Sequence, residues 1–290
     1  MTLAAILAAV SIVFPPEGAK LPHLERCYVM GFVNGGEILE IPVHRTGAWA
    51  TVVDVKPGTN AVEIGGVRRA FVVDAGGTSK TSGTSRTYKK LEYAGDVAKP
   101  HPKGKKPTEI TVVIDAGHGG HDAGAMSPHG LPEKDANLRL ARAVRDELVK
   151  RGYKVVMTRE DDVFVELYDR PKVAHKANAD LFVSIHHNAP GYASNPFAIR
   201  SQSVYAWNEI GEKVAKAISA RMAAADPALT NDGVLHANFA VTRNPEIPSV
   251  LIEADYVTHP DGELAAWDAS RRPRIAAAIA DGIADWVAGK

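Results

Sequence analysis

The chain has 290 residues, of which 45% are hydrophobic and 23% charged, and 34 Lys and Arg balance 34 Asp and Glu. This ordinary globular composition excludes a wholly disordered chain, and the zero formal net charge argues against a general polyanion binder, so we expect no nucleic-acid partner. Cys27 is the one cysteine in the sequence, which excludes an intrachain disulfide and a zinc site built from several thiolates. A metal ion would therefore be held by His, Asp or Glu.

The first apolar run, residues 2–13, is too short to cross a membrane, which takes about 20 such residues. Its length suits the apolar part of a secretory signal peptide, but no Lys or Arg precedes Lys20. In the other interpretation, Val10, Ile12 and Phe14 begin a β-strand. The sequence leaves both interpretations open and predicts no membrane span.

Residues 10–75 consist of short β-like runs separated by turn-forming residues such as Asn34-Gly35-Gly36. Five further strands are expected in this part, at residues 27–30, 38–41, 49–53, 61–64 and 70–73. Short strands at such close intervals predict a small all-β, sandwich-like domain. Trp49 and Tyr28 are expected in or beside its core, and no residue in it indicates catalytic chemistry.

Residues 76–107 are rich in Gly, Ser, Thr, Lys and Pro and form the predicted interdomain linker. Between residues 80 and 107 there are eight Lys or Arg against two acidic residues. Basic runs of this composition are usually solvated, so we favour a flexible linker over a dedicated contact with an anionic polymer. Such a linker would let the two halves of the chain reorient.

Residues 108–290 alternate between predicted strands and predicted helices. The strands are expected at residues 110–114, 153–157, 181–185, 204–206 and 249–252. The helices are expected at residues 137–151, 169–178 and 209–224, and after Ser270, a typical N-cap residue. This alternation predicts an α/β fold in which a mostly parallel sheet carries helices on both faces.

Polar residues that suit metal chemistry follow three of these strands, where ligands of open α/β sheets bind. His118 follows the first strand among closely spaced glycines, His186 and His187 follow the strand at 181–185, and Glu253 follows the strand at 249–252. Glu133 stands near the start of the first helix. Because side chains alternate along a strand, only one of His186 and His187 is expected to reach the site.

Two histidines and a glutamate are a ligand set typical of catalytic Zn²⁺, which leaves a fourth position open for water. A second carboxylate nearby would transfer the proton of that water. Each residue taken singly has a simpler interpretation. From its position, His118 could be an ordinary surface histidine. Glu133 could be a carboxylate in the first turn of a helix, where the helix dipole stabilises negative charge. Glu253 differs from them, because a carboxylate directly after an apolar strand is costly to bury without a partner.

The motifs, taken in order, resemble a known family. They comprise Ile114-Asp115-Ala116-Gly117-His118-Gly119-Gly120, Gly130-Leu131-Pro132-Glu133-Lys134, Thr158-Arg159 with Asp162, residues 179–189 and residues 248–253. Their order and approximate spacing over residues 110–290 are similar to those of the zinc-dependent N-acetylmuramoyl-L-alanine amidases of the type 3 family. The resemblance implies hydrolysis, in peptidoglycan, of the amide between the lactyl group of N-acetylmuramic acid and the L-alanine of the stem peptide.

The resemblance also implies roles for individual residues. By matching motif, His118, Glu133 and His186 would bind one Zn²⁺ and Glu253 would be the catalytic carboxylate, which selects His186 over His187. Ala116 stands where proline is usual, and residues 254–259 differ from the family pattern, so substrate-binding residues are not identified. The one helix expected between residues 188 and 241 has a core pattern, which implies an open site without an extra inhibitory helix.

A peptidoglycan substrate implies an extracytoplasmic location, with the periplasm as the expected compartment. The β-rich front domain is expected to serve as a placement module that contacts other cell-wall components. Two alternatives stay open. One is another zinc hydrolase of wall material, such as a peptidase or a carbohydrate deacetylase, and the other is a non-catalytic wall-binding protein that keeps the scaffold.

Overall fold

The computed structural model describes residues 9–34, 41–76 and 98–290. Its N-terminal part consists of two small sheets of three strands each. The first sheet contains, in spatial order, β1 (Ala9–Phe14), β3 (Arg26–Asn34) and β4 (Ala48–Asp54), all antiparallel. The second contains, in spatial order, β2 (Lys20–Leu21), β6 (Val67–Val73) and β5 (Gly58–Ile64).

The all-β prediction for this part is confirmed. Residues 9–14 form a strand, as the second interpretation of the first apolar run proposed, and residues 1–8 lie outside the described residues. Trp49 is fully buried in a cluster with Ile12 and Val29, so it belongs to the core, as expected. Of the strand expected at 38–41, residues 38–40 lie outside the described residues.

The C-terminal part is built on a six-stranded sheet with the spatial order β11-β10-β12-β9-β7-β8. The strands are β7 (Thr111–Ala116), β8 (Lys154–Met157), β9 (Leu181–Asn188), β10 (Ser201–Ala206), β11 (Thr230–His236) and β12 (Ser249–Tyr256). Four of them, β8, β7, β9 and β12, are parallel to one another, while β10 is antiparallel to β12 and parallel to β11. The carboxyl ends of β7, β9 and β12 therefore meet at one edge.

Within the described ranges, five α-helices cover this sheet: α1 (Glu133–Lys150), α2 (Arg170–Lys176), α3 (Glu209–Ala225), α4 (Pro260–Trp267) and α5 (Arg271–Ala288). Apolar residues of α1, α3 and α5, among them Leu148, Ile218 and Ile279, form the larger core on one face of the sheet. On the other face, Ala174 of α2 packs with Phe182 of β9. A mostly parallel sheet with helices on both faces is confirmed.

Two elements of this part were not predicted. The edge strand β11 contains Asn231, Asp232 and Gly233, which disfavour strands, and it forms because its backbone pairs with β10. Helix α4 is only eight residues long, and Pro260 stands in its first turn. The Nδ1 of His259 accepts a hydrogen bond from the backbone N–H of Asp261 and so caps this helix.

The segment before the C-terminal sheet is described from residue 98 onward, and it lies against that part of the fold. The Nζ of Lys99 donates hydrogen bonds to the carbonyl oxygens of Asn178 and Ala179, and Lys105 pairs with Asp180 at 2.8 Å. A linker at residues 77–97 stays a prediction, since those residues lie outside the described ranges. Over the described part of the chain, no helix is both long enough and apolar enough to span a membrane.

Candidate metal centre

The turn after β7 carries His118 at the carboxyl edge of the sheet. His118 has a φ of 59°, and Gly119 and Gly120 also have positive φ. Backbone strain of this kind in a non-glycine residue costs roughly 1–3 kcal/mol and is typical of functional sites. Gly117 is needed for space, because a Cβ there would lie 2.2 Å from the ring of His186. The glycines around His118 thus allow two histidine rings to approach each other.

The structure brings His118, Glu133 and His186 together. The Nε2 of His118 lies 3.2 Å from Oε2 of Glu133, and the Nδ1 of His186 lies 3.0 Å from Oε1 of the same carboxylate. One potential ligand atom from each of the three residues lies within 4.8 Å of those of the others. Three separate elements supply these atoms: the β7–α1 loop, the first residue of α1, and β9.

Asp122 orients the ring of His118. Its Oδ2 lies 2.9 Å from Nδ1 of His118, so the other ring nitrogen faces Glu133. A carboxylate on the outer nitrogen is a usual partner of a metal-binding histidine, because it fixes the tautomer and the ring orientation. Sequence reasoning missed Asp122; the signal was an acidic residue within the same glycine-rich loop, four positions after the histidine.

Glu133 is buried and held from several sides. Its Oε2 accepts a hydrogen bond from the backbone N–H of Ala125 at 3.0 Å, and its Oε1 accepts one from the amide of Asn137 at 2.9 Å. Burial opposes ionisation, but hydrogen bonds from His118 and His186 hold the pKa of Glu133 well below its usual range. Glu133 is therefore a carboxylate that keeps its negative charge between two imidazoles.

The protonation of His118 responds to the same contacts. Burial disfavours the charged ring, but the hydrogen bonds and negative charges of Glu133 and then Asp122 raise the pKa of His118 to about 9. Negative charge is thus concentrated around the two histidine rings. This negative charge would stabilise a cation bound between the two rings.

His187 lies outside this group of three, in agreement with the argument from alternation that only one of the two adjacent histidines would reach it. Its side chain points to the opposite face of the sheet, where Nδ1 lies 2.9 Å from Oδ1 of Asn137. Burial lowers the pKa of His187 to about 3, which keeps the ring neutral. The side-chain amide of Asn137 also donates a hydrogen bond to Glu133, so His187 is linked to this carboxylate through Asn137.

Glu253 lies beside His186. The two residues are paired in register on the neighbouring parallel strands β12 and β9, so their side chains share one face of the sheet. Within the described parts of the chain, the Oε2 of Glu253 is buried and has no hydrogen-bond partner. Burial, followed by the charge of Glu133, raises the pKa of Glu253 well above its usual range. This carboxyl group is therefore suited to holding and transferring a proton.

A buried polar network beneath the site holds the turn that carries His118. Asp115 accepts hydrogen bonds from Thr158 and Ser184 at 2.6 Å each and from Arg170 at 2.9 Å. Arg170 also donates to the carbonyl oxygens of Ala116 and His118. No local pattern indicated this role for Arg170, which lies 55 positions from Asp115.

Replacing Arg170 by alanine is expected to destabilise the fold. The change leaves the buried carboxylate of Asp115 without its cation and frees the backbone of the turn, and breaking such a buried pair costs about 3–5 kcal/mol. The measurement is the free energy of unfolding in urea. Lys172→Ala, which removes an exposed pair with Asp169, should change this free energy by less than about 1 kcal/mol. Equal effects of the two substitutions would contradict the importance assigned to Arg170.

The three converging residues fit a zinc ion better than other common metals. Imidazole nitrogen favours zinc and the later transition metals, whereas magnesium and calcium prefer sites made of oxygen ligands. Gly124 adds to this fit, since a Cβ there would lie 2.6 Å from Oε2 of Glu133 and 2.7 Å from the ring of His118. The residues present can thus hold a metal ion through two nitrogens and one carboxylate.

Comparisons with known proteins identify the family of this chain. The family model described as N-acetylmuramoyl-L-alanine amidase matches residues 112–285, which is more than half of the chain. The N-acetylmuramoyl-L-alanine amidase AmiA of Escherichia coli is 34% identical over 265 residues, covering 74% of this chain and 90% of that protein. The probable cell wall amidase LytH of Staphylococcus aureus is 30% identical over 256 residues, covering 87% of this chain and 83% of that protein.

Solved structures with the same fold are also amidases. The catalytic domain of CwlV, an N-acetylmuramoyl-L-alanine amidase of Bacillus (Paenibacillus) polymyxa var. colistinus, matches with a TM-score of 0.58 and 37% identity. The match covers 62% of this chain and 99% of that domain. The amidase AmiC2 of Nostoc punctiforme matches with a TM-score of 0.58 and 34% identity over 61% of this chain and 97% of that one. On its fold, its sequence and the residues at its sheet edge, the chain belongs to the N-acetylmuramoyl-L-alanine amidase family of peptidoglycan hydrolases.

Proposed function

We propose that the chain hydrolyses the amide between N-acetylmuramic acid and L-alanine with one Zn²⁺ held by His118, Glu133 and His186, and with Glu253 as the catalytic acid–base. The observation that carries this proposal is the convergence of two imidazoles on one buried carboxylate, with the unpartnered Glu253 in register beside His186. Asp122 would keep the ring of His118 oriented toward the ion.

When bound at such a site, zinc polarises a carbonyl group and makes a water molecule more acidic. The residues of the chain supply the remaining chemistry. Glu253 accepts a proton from the attacking water molecule while the oxygen of that water adds to the lactyl carbonyl carbon. The same carboxyl group then donates this proton to the nitrogen of L-alanine as the C–N bond breaks.

Peptidoglycan lies outside the cytoplasmic membrane, so an enzyme of this family acts outside the cytoplasm, and we propose the periplasm in particular. A contact between the N-terminal part and other cell-wall components stays a prediction. Trp49 and Tyr28, the aromatic residues of that part that would suit sugar stacking, are both buried, with 0% and 3% of their surface exposed.

Digestion of purified peptidoglycan tests the proposal, with the products identified by mass spectrometry. We expect intact stem peptides with a new L-alanine amino terminus, and glycan strands whose lactyl groups end in a free carboxylate. A zinc chelator should stop the release, and added zinc should restore it. Cleavage within the stem peptide would indicate a peptidase, and release of acetate would indicate a deacetylase. Absence of products together with a zinc content near zero would support a non-catalytic wall-binding protein.

A further inference from the structure

The sheet formed by β1, β3 and β4 is buried on both of its faces. Along β3, Cys27 and Val29 face the second small sheet, whereas Tyr28 and Met30 face the C-terminal part of the chain. All four residues are at most 3% exposed. An antiparallel sheet of a separate two-layer domain usually leaves one face to solvent. The described N-terminal part is thus enclosed between its own second sheet and the catalytic fold.

The outward face of this sheet is covered by loops that leave the carboxyl edge of the catalytic sheet. Met126, from the loop after β7, and Phe197, from the loop after β9, pack against Tyr28 and Met30. The backbone N–H of Tyr28 also donates a 2.7 Å hydrogen bond to the carbonyl oxygen of Tyr192. The covering loops follow β7, which precedes His118, and β9, which contains His186.

A third contact reaches the segment after β12, the strand that contains Glu253. Arg45 of the N-terminal part forms an ion pair with Asp261 in the first turn of α4, and His44 lies 3.6 Å from the same carboxylate. The N-terminal part therefore touches the chain beyond each of the three strands that lead to site residues.

His129 is the point at which these elements meet. Its Nδ1 lies 2.7 Å from Oε2 of Glu263 in α4, and its Nε2 lies 3.1 Å from the carbonyl oxygen of Thr46 in the N-terminal part. Its ring stacks on Phe32 of β3 with a centroid separation of 5.0 Å. The two ring nitrogens of His129 therefore contact α4 on one side and the N-terminal part on the other.

The loop that carries His129 is also the loop that holds Glu133. Ser127 donates from Oγ to the buried carboxylate of Glu263 at 2.5 Å and accepts from the backbone N–H of Leu131 at 2.9 Å. At the base of the loop, the N–H of Ala125 donates to Oε2 of Glu133, and the N–H of Glu133 donates to the carbonyl oxygen of Ala125. A displacement of His129 would thus be passed to the carboxylate through a closed, hydrogen-bonded loop.

We propose that the N-terminal part of the chain is a positioning element of the metal centre, with His129 as the positioning residue that joins it to the loop holding Glu133. The inference rests on the proposed function in taking Glu133 as a metal ligand. It assigns this part a role in the catalytic unit itself, in addition to any contact with the wall.

His129→Ala tests the proposal through the zinc dissociation constant, measured by competition with a chromophoric chelator, and through kcat and KM on purified muropeptides. We expect zinc binding to weaken by about tenfold, the scale seen when outer partners of metal ligands are removed. We also expect kcat to fall while KM changes little, because the proposal has His129 act through the loop that holds Glu133. His129→Gln keeps an amide donor for Glu263 and should recover part of both losses.

A matched control is His175→Ala, which removes another His–Glu contact, that of His175 with Glu246 on the surface of the C-terminal part. This variant should keep the parental zinc affinity and kcat. If His129→Ala is folded and binds zinc and turns over like the control, the proposal is overturned.

A second variant acts from the N-terminal side alone. Phe32→Ala removes the ring that stacks on His129 and leaves every hydrogen bond of the loop in place, so it tests the coupling even if His129→Ala does not fold. Hydrogen–deuterium exchange of the metal-free protein should become faster in residues 124–132, with the sheet strands unchanged. Unchanged exchange in that loop would refute the coupling. This measurement needs no zinc or turnover, so it separates failure of the inference from failure of the proposed function.

Discussion

Glu253→Gln is expected to keep the parental zinc content and to lose nearly all turnover. The substituted amide has almost the shape of the carboxyl group but cannot accept the water proton and return it to the leaving nitrogen. General acid–base groups contribute about 10²–10⁴-fold to rate, so kcat should fall by at least about 10²-fold. The measurements are metal analysis of the purified variant and the rate of stem-peptide release.

The fold should tolerate this change. Glutamine has nearly the same shape as glutamate, and among the described residues Oε2 of Glu253 has no hydrogen-bond partner that the substitution would remove. Glu246→Gln offers a control, since the side chain of Glu246 is partly exposed and forms an ion-pair contact with His175, away from the three converging residues. Cleavage of peptidoglycan by the Glu253 variant at the parental rate would show that the role assigned to this carboxylate is wrong.

His118→Ala and His186→Ala are each expected to lose both the metal and the activity. Either change leaves Glu133 with one imidazole, and a site with two protein ligands holds zinc far less tightly than a site with three. Zinc per chain should fall from about one toward zero after dialysis, and stem-peptide release should drop to the level of the chelated parent.

A histidine of the same loop provides the control for these two variants. His121 lies three positions after His118, but its ring packs on Phe164, with the two ring centroids 4.0 Å apart. His121→Ala should therefore retain about one zinc per chain. Circular dichroism of all three variants checks that the fold is retained. If a folded His118→Ala or His186→Ala variant still binds about one zinc per chain, the replaced histidine is not a zinc ligand.

The candidate site residues could be proposed from the sequence because local rules apply at strand ends. His118, His186 and Glu253 follow apolar runs, and parallel strands place such residues at one edge of a sheet. Because adjacent side chains on a strand point to opposite faces, only one of His186 and His187 was expected to reach the site. The structure has the two rings on opposite faces of β9. These arguments need only the pattern of a few neighbouring residues.

The supporting residues were missed because their partners lie far away in the chain. Arg170 reaches Asp115 across 55 positions and Glu263 reaches Ser127 across 136, so no local pattern shows that either residue is paired. Strand β11 was missed for a similar reason. Its residues are poor strand formers, and the neighbouring strand β10 stabilises it.

The contact between the two parts of the chain was also beyond sequence reasoning. Tyr28 and Met30 indicate a buried strand face, but the same pattern suits a sandwich core and an interface with another part of the fold. Residues 98–106, expected in a flexible linker, lie against the segment just before β9 through Lys99 and Lys105. Local charge and composition do not reveal such contacts, because each depends on which surfaces the fold places opposite one another.

The amino-acid order by itself determined most of the helices and strands of this protein, the α/β class of its larger part and the residue types at the strand ends, since these follow from hydrophobic periodicity and strand geometry. Only the tertiary structure decided that β7, β9 and β12 lie side by side, so that a loop, a helix start and a strand bring His118, Glu133 and His186 within 4.8 Å. Only the tertiary structure, likewise, placed the N-terminal sheet against the loops of that site. The physical reason is that strand order and domain packing depend on the burial of whole surfaces, which are assembled from residues far apart in the chain.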